Sequence, residues 1–198
     1  MGVPACRRLA PFLLASAIGL SACRAPEPEL PVIATVPDFS LKDQFGQERH
    51  ASELNGKVTV VAFLFTRCAS ICPMLVQSMA NFQRRLGPDA RRVKFLAFSV
   101  DPTHDTPEVM SEYLRQRGSP NDFTFLTGEA PEIHRVAVTG FRAAVGEPTE
   151  AVGGGVDVIH TQHLMLIDPQ RRMRGFYRTD AEGLDALERD IGRLIRHE

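Results

Sequence analysis

Two cysteines four positions apart, Cys68 and Cys72, stand in the segment Phe65-Thr66-Arg67-Cys68-Ala69-Ser70-Ile71-Cys72-Pro73. Thiolates act as nucleophiles, as redox partners and as ligands of soft metals. Residues four apart on a helix hold their Cβ atoms about 5–6 Å apart, wider than the ~3.5–4.5 Å of a disulfide. Two sulfurs on one metal ion, with bonds of ~2.3 Å, sit up to about 4.5 Å apart. The spacing therefore suits a shared ion, and admits a disulfide if Cys68 lies in a loop ahead of the helix. Cys72 directly precedes Pro73 and is expected to cap that helix, where unpaired backbone N–H groups favour the thiolate.

A site with two sulfurs needs a further ligand. The histidines are His50, His104, His134, His160, His163 and His197. His160 and His163 lie on or before a late apolar strand. They are three apart, so in a regular strand they point to opposite faces and at most one faces the cysteines. His104 falls in a loop leading into a helix and His134 in a predicted helix. Met79 belongs to the apolar stripe of a helix, and neither it nor Met74 is expected to be a ligand.

The elements around these residues follow from periodicity. Val58 to Phe65 is a continuous apolar, β-branched run, as expected of a strand buried on both faces. Pro73 opens a helix at a tolerated early position, Leu75, Met79, Phe82 and Leu86 recur at helical spacing, and Gly87-Pro88 ends it. Val93 to Val100 is a second buried strand. Asp105 or Thr106 caps a helix running to about Arg117. A short strand is predicted at 123–126 and a short helix at 131–138. The segment 145–156, with Gly153-Gly154-Gly155, reads as a mobile loop. Strands at 158–167 and 173–177 turn at Asp168-Pro169, and Leu184, Leu187, Ile191 and Leu194 mark a closing helix. A short N-terminal hairpin is expected around 37–47. Strands alternating with helices, then a hairpin and a helix, make a three-layer α/β/α sandwich with a mixed central sheet. Its two central strands, joined through a helix, should be parallel.

The 198 residues suffice for one domain plus a targeting segment. A formal net charge of −1 suggests no nucleic-acid surface. Arg7 and Arg8 precede an apolar run too short to span a membrane, which takes about 20 residues. This is signal-peptide anatomy. It ends in Leu20-Ser21-Ala22-Cys23, which resembles a bacterial lipobox with Cys23 as the lipidated thiol. Residues 1–22 are thus read as a lipoprotein signal peptide, 23–30 as a Pro- and Glu-containing tether, and 31–198 as the folded domain. Losing 1–22 removes two arginines and no acid, taking the charge from −1 to −3. Cys6 leaves with the signal, so only Cys68 and Cys72 remain in the domain. In an exported protein such a pair is a bridge, a redox couple or a metal site.

At this point the chain resembles the Sco/SenC family of copper-binding proteins that serve cytochrome oxidase assembly. The resemblance rests on the cysteine segment, on Ser99-Val100-Asp101-Pro102-Thr103-His104-Asp105-Thr106-Pro107, and on Val158-Ile159-His160 ahead of Pro169. It implies a thioredoxin-like fold, copper as Cu(I) or Cu(II), and Cys68, Cys72 and His160 as metal ligands. His163 matches no family ligand. Asp101 matches a family acid near the metal, able to tune the site or hold the histidine. The implied role is a metallochaperone, not a turnover enzyme, with its site near the surface. Its implied partners are the copper-bearing subunit of cytochrome c oxidase and a thiol reductant. A lipid on Cys23 would hold it to the membrane on the periplasmic side. Cysteines three residues apart, with Gln162 where a thioredoxin would carry its cis-proline, distinguish the chain from ordinary disulfide exchangers. A membrane-anchored thiol–disulfide reductase using Cys68 and Cys72 without metal, a redox sensor, and a binding module with a structural disulfide are the rival readings.

Overall fold

The computed structural model describes residues 28–69, 71–120, 122–143 and 163–196, and the backbone of 149–150 and 156–157. The expected signal segment 1–22, Cys23, His160 and His197 lie outside the described residues.

A six-stranded mixed sheet forms the centre, in the order β1-β10-β9-β4-β5-β6. β4 (Val58–Leu64) is buried at every position. It pairs in parallel with β5 (Val93–Ser99), and β5 pairs in parallel with β6 (Thr124–Leu126). On its other side β4 pairs antiparallel with β9 (Leu164–Ile167), which turns into β10 (Arg172–Tyr177). β1 (Ala34–Thr35) adds an edge that is too short for periodicity to reveal. β2 (Ser40–Lys42) and β3 (Glu48–His50) form the expected N-terminal hairpin. Its buried Gln44 donates to the Phe123 carbonyl (2.8 Å) and accepts from the Phe125 N–H (2.9 Å), covering the free edge of β6.

Helix α1 (Ile71–Arg85) follows β4 and buries Cys72, Leu75, Val76, Met79 and Phe82. It packs on α2 (Pro107–Arg117) and is tied to α4 (Ala181–Arg196) by Arg85, which pairs with Asp185 and Glu188. α3 (Ala130–Phe141) serves the other face. Its Phe141 ring lies 5.3 Å from Phe63 and 5.4 Å from Phe98, which stack on each other at 5.5 Å. Such aromatic pairs add to area burial. Thr106 caps α2, accepting from the Val109 N–H, and Gly118 ends it in the left-handed region at φ 67°. The segment read as a mobile loop contains a two-residue ribbon, β7 (Thr149–Glu150) with β8 (Val156–Asp157). Pairing this short is set by register, to which local composition is blind.

The parallel register sets Leu64 opposite Ser99. The two strands therefore release their loops side by side, and the Val100 N–H still reaches the Leu64 carbonyl at 2.9 Å. Asp105, fully buried, fastens these exits. It accepts from Ser99 Oγ (2.6 Å), from Thr66 Oγ1 (2.5 Å) and from the Thr66 N–H (3.3 Å). Asp105 is thus a clamp between strands, and Thr106 alone is the helix cap. Burial raises its pKa. The bonds from Ser99 and Thr66 oppose that rise, and the neighbouring charge of Asp101 adds to it. An acid raised on folding favours the native state below its unfolded value of 3.8 and loses that contribution as pH climbs through the folded value. Urea unfolding across a pH series should therefore show wild type losing stability relative to Asp105→Asn above pH 3.8. Parallel curves for the two proteins would count against a buried, raised Asp105.

Candidate metal centre

The clamp leads straight into the cysteine loop. After β4 the chain alternates buried and exposed positions: Phe65 buried, Arg67 exposed, Cys68 buried, Ala69 exposed. Helix α1 begins at Ile71, so Cys72 lies inside its first turn and not at its cap. Cys68, still in the loop, takes the capping role. Its sulfur accepts the Cys72 backbone N–H at 3.3 Å. This satisfies one of the donors that every helix N-terminus leaves unpaired.

The two cysteines are not joined in a disulfide. Cys68 is 6% exposed and Cys72 0%, so both thiols are buried, although Arg67, Ala69 and Met74 close by in the chain are exposed. The expected thiolate bias at Cys72 is also reversed. Burial pushes its thiol far up, a backbone hydrogen bond at Phe65 works the other way, and contact with Cys68 raises it further. The sulfurs are thus close enough to interact, and a charged form of Cys72 needs a nearby cation. A bound soft metal supplies one, because a coordinating thiol is deprotonated outright. Two adjoining sulfurs in an apolar pocket form a soft donor pair.

Asp101 is fully buried and engaged. The Arg67 guanidinium reaches its Oδ2 from Nη2 (2.6 Å) and Nε (2.8 Å), and Thr103 Oγ1 donates to its Oδ1 at 3.3 Å. Its own N–H donates to Ser99 Oγ at 3.1 Å. Arg67 thereby ties the residue before Cys68 to the β5 exit, beside the Asp105 clamp. Such charge-assisted bonds hold geometry well.

Among the described residues no three His, Cys, Asp or Glu side chains converge. His163, in contrast, lies edge-on to Phe176 with centroids 6.4 Å apart. Sequence patterns also missed Tyr113. Its position fits the core stripe of α2, yet its buried hydroxyl finds no hydrogen-bond partner among the described residues. Burial pushes its phenol up, and electrostatic coupling to Cys72 pushes it further, so Tyr113 lies within electrostatic reach of the pair. Only the missing hydrogen bond marks it, and sequence carries no sign of that.

Burial and a raised thiol together make Cys72 slow to react. In metal-free, reduced protein its alkylation by iodoacetamide should run at least about tenfold slower than that of free cysteine near pH 8. Site-resolved mass spectrometry measures this, and reaction at the free-thiol rate would contradict the buried position.

The family model described as SCO1/SenC matches residues 28–196. The SCO1 protein homolog of Bacillus subtilis is 30% identical over 156 residues, spanning 78% of this chain and 79% of that protein. Among solved structures, ScoI of Bradyrhizobium japonicum with copper bound superposes with a TM-score of 0.70 at 27% identity, covering 81% of this chain and 99% of that one. A SCO1/SenC family lipoprotein from Bacillus anthracis superposes with a TM-score of 0.72 at 27% identity, covering 82% and 95%. The sheet order, the helices on both faces and the cysteine loop at the end of β4 are those of a thioredoxin-like α/β fold, and the chain belongs to the SCO1/SenC family.

Proposed function

We propose that this protein binds copper between the sulfurs of Cys68 and Cys72 and the imidazole of His160, and carries it without catalysing a reaction of its own. The observation that carries this reading is the adjoining pair of buried, unbridged thiols, Cys68 Sγ on the Cys72 N–H, at the carboxyl end of a central strand. Soft thiolates favour Cu(I), and an imidazole completes a three-ligand set. The copper in the solved B. japonicum relative supports the choice of metal.

The recipient in this reading is the copper-bearing subunit of cytochrome c oxidase, with a thiol reductant keeping the pair reduced. Acylation at Cys23 would follow removal of residues 1–22, leaving 23–30 as tether and the domain on the extracytoplasmic side of the membrane. The lipoprotein relative from B. anthracis supports the anchor. Among the described residues no helix is long and apolar enough to cross a membrane. Sharing one surface would raise the effective concentration of carrier and recipient. Asp101, through Arg67, would act by holding the cysteine loop in place.

The test is copper stoichiometry and affinity of reduced protein by competition titration. Wild type should bind one copper ion per chain. Cys68→Ala, Cys72→Ala and His160→Ala should each weaken binding by more than the ~10–100-fold that follows loss of a ligand's hydrogen-bond partner. A His160 variant that binds as tightly as wild type would remove the imidazole from the site. If His160→Ala also left dithiol exchange with an oxidised peptide intact while copper binding was weak in every form, a reductase would be the better reading.

A further inference from the structure

The end of the domain away from the cysteines is strongly basic. Residues 84–92 and 189–196 carry seven arginines and two aspartates in a chain whose formal net charge is −1. The fold brings these segments together. Arg85, in the last turn of α1, pairs with Asp185 and Glu188 of α4. Arg92, just before β5, donates to the carbonyl of Ile195 at 3.0 Å. Arg85, Arg189, Arg193 and Arg196 line a groove of about 600 Å³ with Asp185, Glu188 and Asp190. Counting the two acids that hold Arg85, these segments still carry three more positive charges than negative. Internal pairing redistributes that excess and does not remove it.

The tether reaches the same place. Arg193 donates to the carbonyl of Pro28, the first described residue. Pro28 is five positions beyond Cys23, and an extended chain of that length spans at most roughly 18 Å. A lipid on Cys23 would therefore draw this end, and no other, down to the bilayer.

We infer that this arginine-rich end, where α1 and α4 finish and β5 begins, is the face that rests on the anionic phospholipid headgroups of the membrane. The inference rests on the lipid-anchor reading above and adds an orientation to it. Arg85 and Cys72 are thirteen residues apart on α1, which at ~1.5 Å per residue is about 20 Å along the helix. In this orientation the cysteines face away from the bilayer, toward a recipient domain that projects from it. Arginines near an anionic surface are attracted within about a Debye length.

Mature, lipid-bearing protein beginning at Cys23, extracted from membranes and placed in vesicles, tests this, with exposed arginines labelled by phenylglyoxal and read residue by residue by mass spectrometry. One vesicle is phosphatidylcholine alone, and the other contains about a third phosphatidylglycerol. The expected result is slower labelling of Arg84, Arg189 and Arg196 in the anionic vesicles only, with exposed Arg178, which follows the end of β10 on the cysteine side, unchanged. Raising NaCl to about 1 M, where the Debye length is about 3 Å, should abolish the protection while the protein stays on the vesicles. Equal labelling in both vesicles, or equal protection at Arg178, overturns the orientation and leaves the arginines for an acidic protein. Loss of the protein from neutral vesicles in high salt is a different failure: it refutes the anchor on Cys23, and the orientation falls with it.

Discussion

A single buried carboxylate holds together the two loops on which everything chemical in this domain depends. Asp105 has no exposure, yet it accepts from Thr66 at the exit of one central strand and from Ser99 at the exit of the next. A buried carboxyl is tolerated only with its hydrogen bonds made, and leaving a partner unpaired costs about 1–3 kcal/mol. The bonds therefore fix the separation of the two strand ends. Arg67 and Asp101 repeat the arrangement one step outward, in a partly exposed pair that is weaker individually but adds to the same constraint. Cys68 is the next residue along the chain, and its position is the product of both.

From that anchor the cysteine pair acquires its character. Cys68 arrives in the loop and offers its sulfur to the helix, whereas Cys72 arrives inside the first helical turn and is carried into the core with Leu75 and Val76. Dipole and burial then act on Cys72 in opposite senses. The helix N-terminus favours a thiolate by something like 1 kcal/mol, and full burial outweighs this. The outcome is a thiol that stays neutral until a cation enters. Under the proposed copper-binding role, such a site would discriminate by chemistry, since a soft cation would bond directly to both sulfurs and replace the hydration they lack.

The sheet separates the two ends of the molecule. Parallel strands present their carboxyl ends to the cysteine loop, as ligand sites in α/β folds commonly require, while the opposite ends gather the helix termini and their arginines. Lys and Arg also suit a helix C-terminus electrostatically, so Arg84 and Arg85 at the end of α1 and Arg193 and Arg196 at the end of α4 stabilise their helices where they stand. The charge asymmetry is thus compatible with the local stability of each helix.

Much of this was written in local patterns. The apolar runs at 58–64 and 93–99, the helical stripe through Leu75, Met79 and Phe82, the cap at Thr106 and the cysteine spacing all involve neighbours within a turn or a strand, where residue type alone decides conformation. The N-terminal hairpin and the closing helix were legible for the same reason. What the sequence could not decide lies across long separations. Thr66 meets Asp105 at 39 residues' distance, and Arg67 meets Asp101 at 34. Whether Asp105 caps a helix or clamps two strands, whether Cys72 is a surface thiolate or a buried thiol, and that Tyr113 keeps an unpartnered hydroxyl within electrostatic reach of it, are questions of desolvation. Burial and pairing are properties of the assembled core, because they depend on which distant groups displace water from a given atom. The residue types and their spacing determined that two thiols stand four positions apart where a central strand gives way to a helix, and only packing set the ionisation and accessibility of those thiols.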